Sequence, residues 1–296
     1  MTTVRFVTLV GAFFNAALSL VKVAGGYMVG SSALVADGLH SLSDLFSDAL
    51  IIFGEGKWTA PADNDHKYGH ARYETLVNLV LSISLLTVSV GLVHSAITDF
   101  GKPNELTMPI VAVVIALIGV IAKEFLFRWT LREAEKVSSK VLKANAHHHR
   151  SDALSSLPVV LAVLIQLAFP DATYVDEIAT VVVAGMIGMA AFGIMMPIYY
   201  EFTEQTVSGD TERKVQQLRY EFSEIKEVHD IRVRTMGSTI VVDLHILVDP
   251  LINVHDAHEV STKFKRSLLS DISHLTDVVI HIEPFVCSER HYYRCA

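Results

Sequence analysis

Residues 35–48 read VADGLHSLSDLFSD, inside a longer apolar run covering 33–53. Asp37, His40, Asp44 and Asp48 recur at steps of three and four. On a helix that spacing gathers them into one polar stripe along a single face. The surrounding run is long enough to cross a hydrocarbon layer of roughly 30 Å. Ionisable side chains at that depth are costly and by default mark an ion or proton pathway. Further along, residues 147–152 read HHHRSD. His148 stands one helical turn before Asp152, as His40 does before Asp44. Two such pairs on facing helices offer two imidazoles and two carboxylates around one point, a tetrahedral cage for a divalent ion such as zinc. Asp37 and Asp48 read as access-path or proton-carrying groups. His147 and His149 fit decoration at a membrane interface. A helix lining a subunit contact is the competing reading of the stripe, but four charges at bilayer depth argue for work on an ion.

Working outward, five more apolar segments read as spans: 6–29, 75–97, 108–127, 154–169 and 178–199. The run at 154–169 is short for a span and gains length if 147–152 is already helical. Gly30-Ser31-Ser32 is a tight link that makes the first two spans antiparallel neighbours. The chain of 296 residues is 51% hydrophobic, with a mean hydropathy of +0.40, consistent with a six-helix polytopic membrane domain. Its net charge of −8 speaks against nucleic acid as a partner. Lys57, Lys67 and Arg72 follow the second span; Arg128, Arg132, Lys136, Lys140 and Lys143 follow the fourth. The opposite loops carry Asp99, Lys102 and Glu105, and Asp171, Asp176 and Glu177. The positive-inside rule then expects both termini in the cytoplasm of a multi-pass protein. No signal-peptide pattern precedes the first span, so it is expected to be retained.

The texture changes near residue 205, which suggests a transport domain over 1–205 and a cytoplasmic domain over 206–296. The spacing predicts helices over 211–222 and 254–270. Strands are predicted over 228–234, 240–247 and 278–283, the first two joined at Met236-Gly237-Ser238. An α-β-β-α-β order makes a small open-faced α+β sandwich. This tail carries His229, His245, His258, His281 and Glu283. His281 and Glu283 share a strand face, because side chains repeat every two residues. A third group lies in the loop PADNDHKYGH at 61–70, where Asp63, His66 and His70 bring one carboxylate and two imidazoles together. Three loop ligands leave one position to water; a hydrogen-bonded loop is the alternative. Cys287 and Cys295 give no disulfide framework, leaving a surface thiol pair or an accessory metal site. No GxSxG, P-loop or GxGxxG is present, so no organic cofactor is expected and transport would run on an ion gradient or on the substrate's own gradient.

The DGLHSLSD and HHRSDALSS stretches, the PADNDHKYGH loop, the six spans and the histidine-rich tail together resemble the cation diffusion facilitator family of metal/proton antiporters. The resemblance covers nearly the whole chain. It implies a homodimer with a transport site at His40, Asp44, His148 and Asp152. Many bacterial members have aspartate where this chain has His40, and the His/Asp plus His/Asp set looks like the zinc-preferring type. The family also moves iron, cadmium, cobalt and manganese. The loop site carries over to Asp63, His66 and His70. The tail resembles the family's metallochaperone-like domain, with a binuclear dimer-interface site at His229, His245, His258, His281 and Glu283. Bacterial members often have aspartate at the last position. Arg72 matches a basic residue of an inter-subunit charge lock, with Glu204, or else Glu201, as its partner. The Cys287, His291, Cys295 tail is outside the family pattern.

The expectation is a bacterial inner-membrane exporter that trades a cytoplasmic divalent ion, zinc foremost, for protons. Metal needs neutral imidazole and ionised carboxylate, so binding expels protons and protonation expels metal. Two rivals belong to other classes. A metal-sensing membrane scaffold would bind without flux, and a metalloenzyme would keep an open coordination position for water.

Overall fold

A computed structural model describes residues 3–101, 106–136, 140–172, 174–205 and 209–286. The chain divides into two compact units, 1–54 with 79–194 and 55–78 with 195–296. Seven helices come first: α1 (Thr3–Val29), α2 (Ser32–Trp58), α3 (Arg72–Asp99), α4 (Pro109–Lys136), α5 (Lys140–Ser155), α6 (Leu157–Ala168) and α7 (Tyr174–Phe202). Among the described residues, five stretches are long and apolar enough to span a membrane: Phe6–Val29, Arg72–Asp99, Pro109–Lys136, Asn145–Ala168 and Tyr174–Phe202. The 27-residue α2 is also long enough to span one. Phe13, Tyr27, Val80, Ile121 and Phe192 stand exposed along these helices, as lipid-facing side chains would. The chain is a multi-pass membrane protein.

In the first unit the link at Gly30 lets α1 and α2 approach backbone to backbone. A Cβ at Gly38 would come within 2.8 Å of the Val23 nitrogen, and one at Gly26 equally close to that of Val35. Asp176, at the start of α7, caps α2. Its carboxylate accepts from Ser31 Oγ at 2.6 Å and from the Ser32 and Ala33 backbone nitrogens at 2.6 and 3.1 Å. These are helix-start donors with no partner inside their own helix. Leu34, Leu81, Val159, Val163, Val183 and Ile187 form the buried apolar core of this unit.

The fifth span does extend backwards from the apolar run, as its short length required. It is two helices, α5 and α6, interrupted at Ser156, with Pro158 in the first turn of the second. Proline has no backbone N–H and its ring clashes with the carbonyl four residues earlier, so a continuous helix stops here. The Asp152 carbonyl, two residues before the lost bond, still accepts from the Ser156 nitrogen at 3.2 Å, and the Ser155 hydroxyl adds a second bond to it at 2.9 Å. The break leaves Asp152 in the last turn of α5.

The second unit holds α8 (Gly209–Arg219), β1 (Glu227–Met236), β2 (Thr239–Val248), α9 (Val254–Asp271) and β3 (Leu275–Pro284). This is the expected α-β-β-α-β order, with ends shifted by a few residues. The sheet runs β1-β2-β3, antiparallel between the first two and parallel between the last two. A parallel neighbour needs a crossover, and α9 supplies it. Asn253 caps that helix by accepting from the Asp256 nitrogen at 2.9 Å. Ala257, Val260, Phe264 and Leu268 follow at steps of three and four, turning a buried face toward Val242, Leu244 and Ile246.

Candidate metal centres

The α2 stripe and the end of α5 converge inside the first unit. His40, Asp44 and Asp152 each offer a ligand atom, and these atoms lie within 4.8 Å of one another. His40 Nε2 is 4.0 Å from Asp44 Oδ2, an oxygen that has no hydrogen-bond partner although water does not reach it. Such an atom would ordinarily be paired. His148 Nδ1 lies 3.7 Å from Asp152 Oδ1. The His148 side chain is 46% exposed, at the margin of the group and outside the close triad. His149, one residue on, is only 2% exposed, and neither ring nitrogen has a hydrogen-bond partner.

Two lysines complete this interior, and sequence patterning did not single them out. Lys123 of α4 places Nζ 2.7 Å from Asp152 Oδ2. Lys22 of α1 places Nζ 2.7 Å from Asp37 Oδ2. Ser156 closes the second pair, accepting from Lys22 at 3.1 Å and donating to Asp37 Oδ1 at 2.7 Å. Asp37 is thus 1% exposed, held by a cation and a hydroxyl, and outside the ligand triad. The available signal was a lysine inside two of the apolar runs, 6–29 and 108–127, which buried pairing must explain. The Asp48 side chain lies outside the described residues, and so do Cys287, His291 and Cys295.

In the second unit the 61–70 loop closes on itself. Asp63 Oδ1 accepts from the His66 and Asp65 backbone nitrogens at 2.7 and 2.9 Å. His70 Nε2 is 3.4 Å from Asp63 Oδ2, and the two imidazole centroids are 4.3 Å apart. Asp63, His66 and His70 therefore do form one potential ligand group. The His66 backbone N–H, helped by that of Asp65, holds the Asp63 carboxyl below the usual carboxylate range.

The tail group is built by strand register. His245 pairs with His229 across β1 and β2, and with His281 across β2 and β3. Three imidazoles are thereby brought to one face of the sheet. Glu283 joins them: Oε1 is 2.9 Å from His245 Nδ1 and 3.6 Å from His281 Nε2, while Oε2 is 3.3 Å from His229 Nε2. Asp230 is an addition that the sequence reading missed. Neighbouring strand residues ordinarily face opposite sides, but the register shifts between His229 and Arg232. Asp230 there has φ 48°, as in a bulge that redirects a side chain. It forms a second ligand group with His229 and His245. His258 is exposed on α9 and belongs to none of the groups found among the described residues.

Excess zinc is expected to raise the thermal midpoint of an isolated 206–296 fragment, because a ligand that binds only the folded state stabilises it. Glu283→Ala should remove most of that rise. A midpoint indifferent to zinc well above micromolar concentration would count against a site here.

Near the start of α3, Arg72 is exposed, and so is Glu204. Glu201 is buried and makes the local contacts: Thr75 Oγ1 donates to it at 2.8 Å, and the Gly237 nitrogen at 3.2 Å. Glu74 accepts from the Ser238 nitrogen at 2.9 Å. The β1–β2 turn is thus held by two carboxylates.

Comparison with known proteins adds two domain matches. A family described as the cation efflux transmembrane domain matches residues 8–202, and the cation efflux protein cytoplasmic domain matches 207–285. Metal tolerance protein C1 of Arabidopsis thaliana is 31% identical over 92% of this chain, which spans 62% of the plant protein's length. The manganese efflux system protein MneP of Bacillus subtilis is 27% identical, covering 95% of this chain and 96% of its own. Among solved structures, the metal-bound C-terminal domain of the CzcD transporter from Thermotoga maritima is 29% identical. It covers 25% of this chain and 87% of that one, with a TM-score of 0.25.

Proposed function

The chain belongs to the cation diffusion facilitator family, and from that premise we propose that it exports zinc from the cytoplasm in exchange for protons. Divalent metal efflux is common ground for its relatives; zinc and proton exchange are our reading. The observation that carries it is the convergence of His40, Asp44 and Asp152 inside a membrane unit, with His148 able to close a fourth position. Imidazole and carboxylate together suit zinc. Each imidazole must be neutral to bind, which ties the metal to protons. The direction is read from the lysine- and arginine-rich loops, whose charge favours a cytoplasmic side for the termini and the tail. A bacterial inner membrane, a homodimer and an inter-subunit contact of Arg72 with Glu204 belong to the same reading. Asp63, His66 and His70 would hold a loop ion, and the tail residues a regulatory one.

Manganese is the second reading. Without His148 the triad is one nitrogen and two carboxylates, a harder set that suits manganese better, and one relative is named for manganese efflux. The test is a metal panel on the full chain reconstituted in vesicles with an imposed pH gradient. Zinc uptake that grows with the gradient is the expected result. Manganese uptake without zinc uptake would favour the oxygen-rich triad. Flux indifferent to the gradient would overturn exchange, and no flux for any metal would leave a sensing scaffold.

A further inference from the structure

We propose that Lys123 is a tethered counter-cation of the membrane metal group. Its ammonium occupies Asp152 while no metal is bound and leaves that carboxylate when a divalent ion arrives. The proposal rests on the transport-site reading above. Lys123 is 1% exposed, on a helix that contributes no residue to the triad. Burying an ammonium is costly unless a good partner compensates it, and its hydrogen-bonded partner is Asp152. That carboxylate has two oxygens: Oδ2 is taken by Lys123, and Oδ1 faces His148. A zinc ion bound through Oδ2 would sit within about 5 Å of the ammonium, given usual zinc–oxygen distances. Two cations that close in a medium poorer than water in screening repel strongly. The metal and the amine therefore compete for one carboxylate.

The neighbouring pair shows the contrast. Lys22 and Asp37 are closed into a triangle by Ser156. A Cβ at Gly119 would lie 2.6 Å from Lys22 Cε, so α4 leaves space for that side chain. Neither member is in a ligand group, and the pair reads as a fixture of the packing. Lys123 differs because its partner is a ligand. It also has somewhere to go. His149 is buried, has no hydrogen-bond partner on either ring nitrogen, and lies within electrostatic reach of Lys123. A neutral imidazole offers one acceptor nitrogen to a displaced ammonium.

The experiment uses the full chain with Asp63, His66, His70, His229, Asp230, His245, His281, Glu283, Cys287, His291 and Cys295 replaced by alanine, so that zinc binding is read at the membrane group. Lys123→Met should bind zinc at least about tenfold more tightly, because the competitor is gone. Its maximal uptake rate should fall as zinc release slows. Lys123→Arg, which keeps the charge, should show no tightening. A lysine that merely supports the fold would give weaker or unchanged binding in Lys123→Met, and that result overturns the proposal. Should Lys123→Met not fold, amine labelling of the unsubstituted lysine decides. Zinc should speed modification of Lys123, read by mass spectrometry, and unchanged or slower labelling overturns the idea. Asp152→Asn separates the two claims. If it binds zinc as well as the parent, the site assignment itself fails; if it loses zinc while Lys123→Met gains nothing, only the counter-cation role fails.

Discussion

Asp152→Ala is expected to abolish metal uptake into vesicles and to cost stability as well. The loss of transport follows from removing a ligand and its charge from a small donor set. The loss of stability follows from Lys123, which would remain as a buried cation without its partner. Breaking a buried pair from one side costs about 3–5 kcal/mol. Asp44→Ala should abolish uptake with a smaller stability cost, because Asp44 Oδ2 has no hydrogen-bond partner to strand. Adding Lys123→Met to Asp152→Ala should recover much of the thermal midpoint without recovering transport. That split distinguishes a ligand from a structural carboxylate. Uptake at the wild-type rate in either single variant would show that the site lies elsewhere.

Apparent metal affinity at the membrane group should fall steeply as pH drops from about 7.5 to 5.5, the range in which histidine ordinarily titrates. The sign is fixed by chemistry, since only neutral imidazole and ionised carboxylate hold the metal, and each added proton removes a ligand. Well into the acid limb, displacing two protons gives about a hundredfold loss per pH unit, and one gives about tenfold. We expect the steeper slope, with both His40 and His148 engaged. A tenfold slope would place His148, half exposed at the margin, outside the coordination sphere. The measurement needs the loop and tail ligands replaced, because those groups also contain histidine. Calorimetry in buffers of different ionisation enthalpy counts the protons released per ion. No release at pH 6.5 would refute exchange at this site.

Much of this protein was legible without coordinates. Hydrophobic runs long enough to cross a bilayer follow from composition along the chain, because lipid imposes length and apolarity on every span. The α-β-β-α-β tail followed from the change between periods of two and about four. The triad was half legible. His40 and Asp44 share one helix, where spacing alone fixes their common face. Asp152 needed the partner helix, but its own histidine neighbour four residues back announced it.

What tertiary structure alone decided concerns contacts between elements that sequence spacing does not join. His148 and His149 differ by one step, about a hundred degrees around the helix, so packing leaves one half exposed and buries the other. Asp230 entered the tail group only through a shift in strand register. Asp37 fitted the α2 stripe, yet Lys22 and Ser156, far away in sequence, hold it outside the triad. Lys123 is the largest such case. Within its own apolar segment it stands beside Glu124, and only the packing of α4 against α5 shows which carboxylate it compensates. Local periodicity reports which face a residue occupies; the identity of its neighbour across a packed interface depends on how whole helices pack.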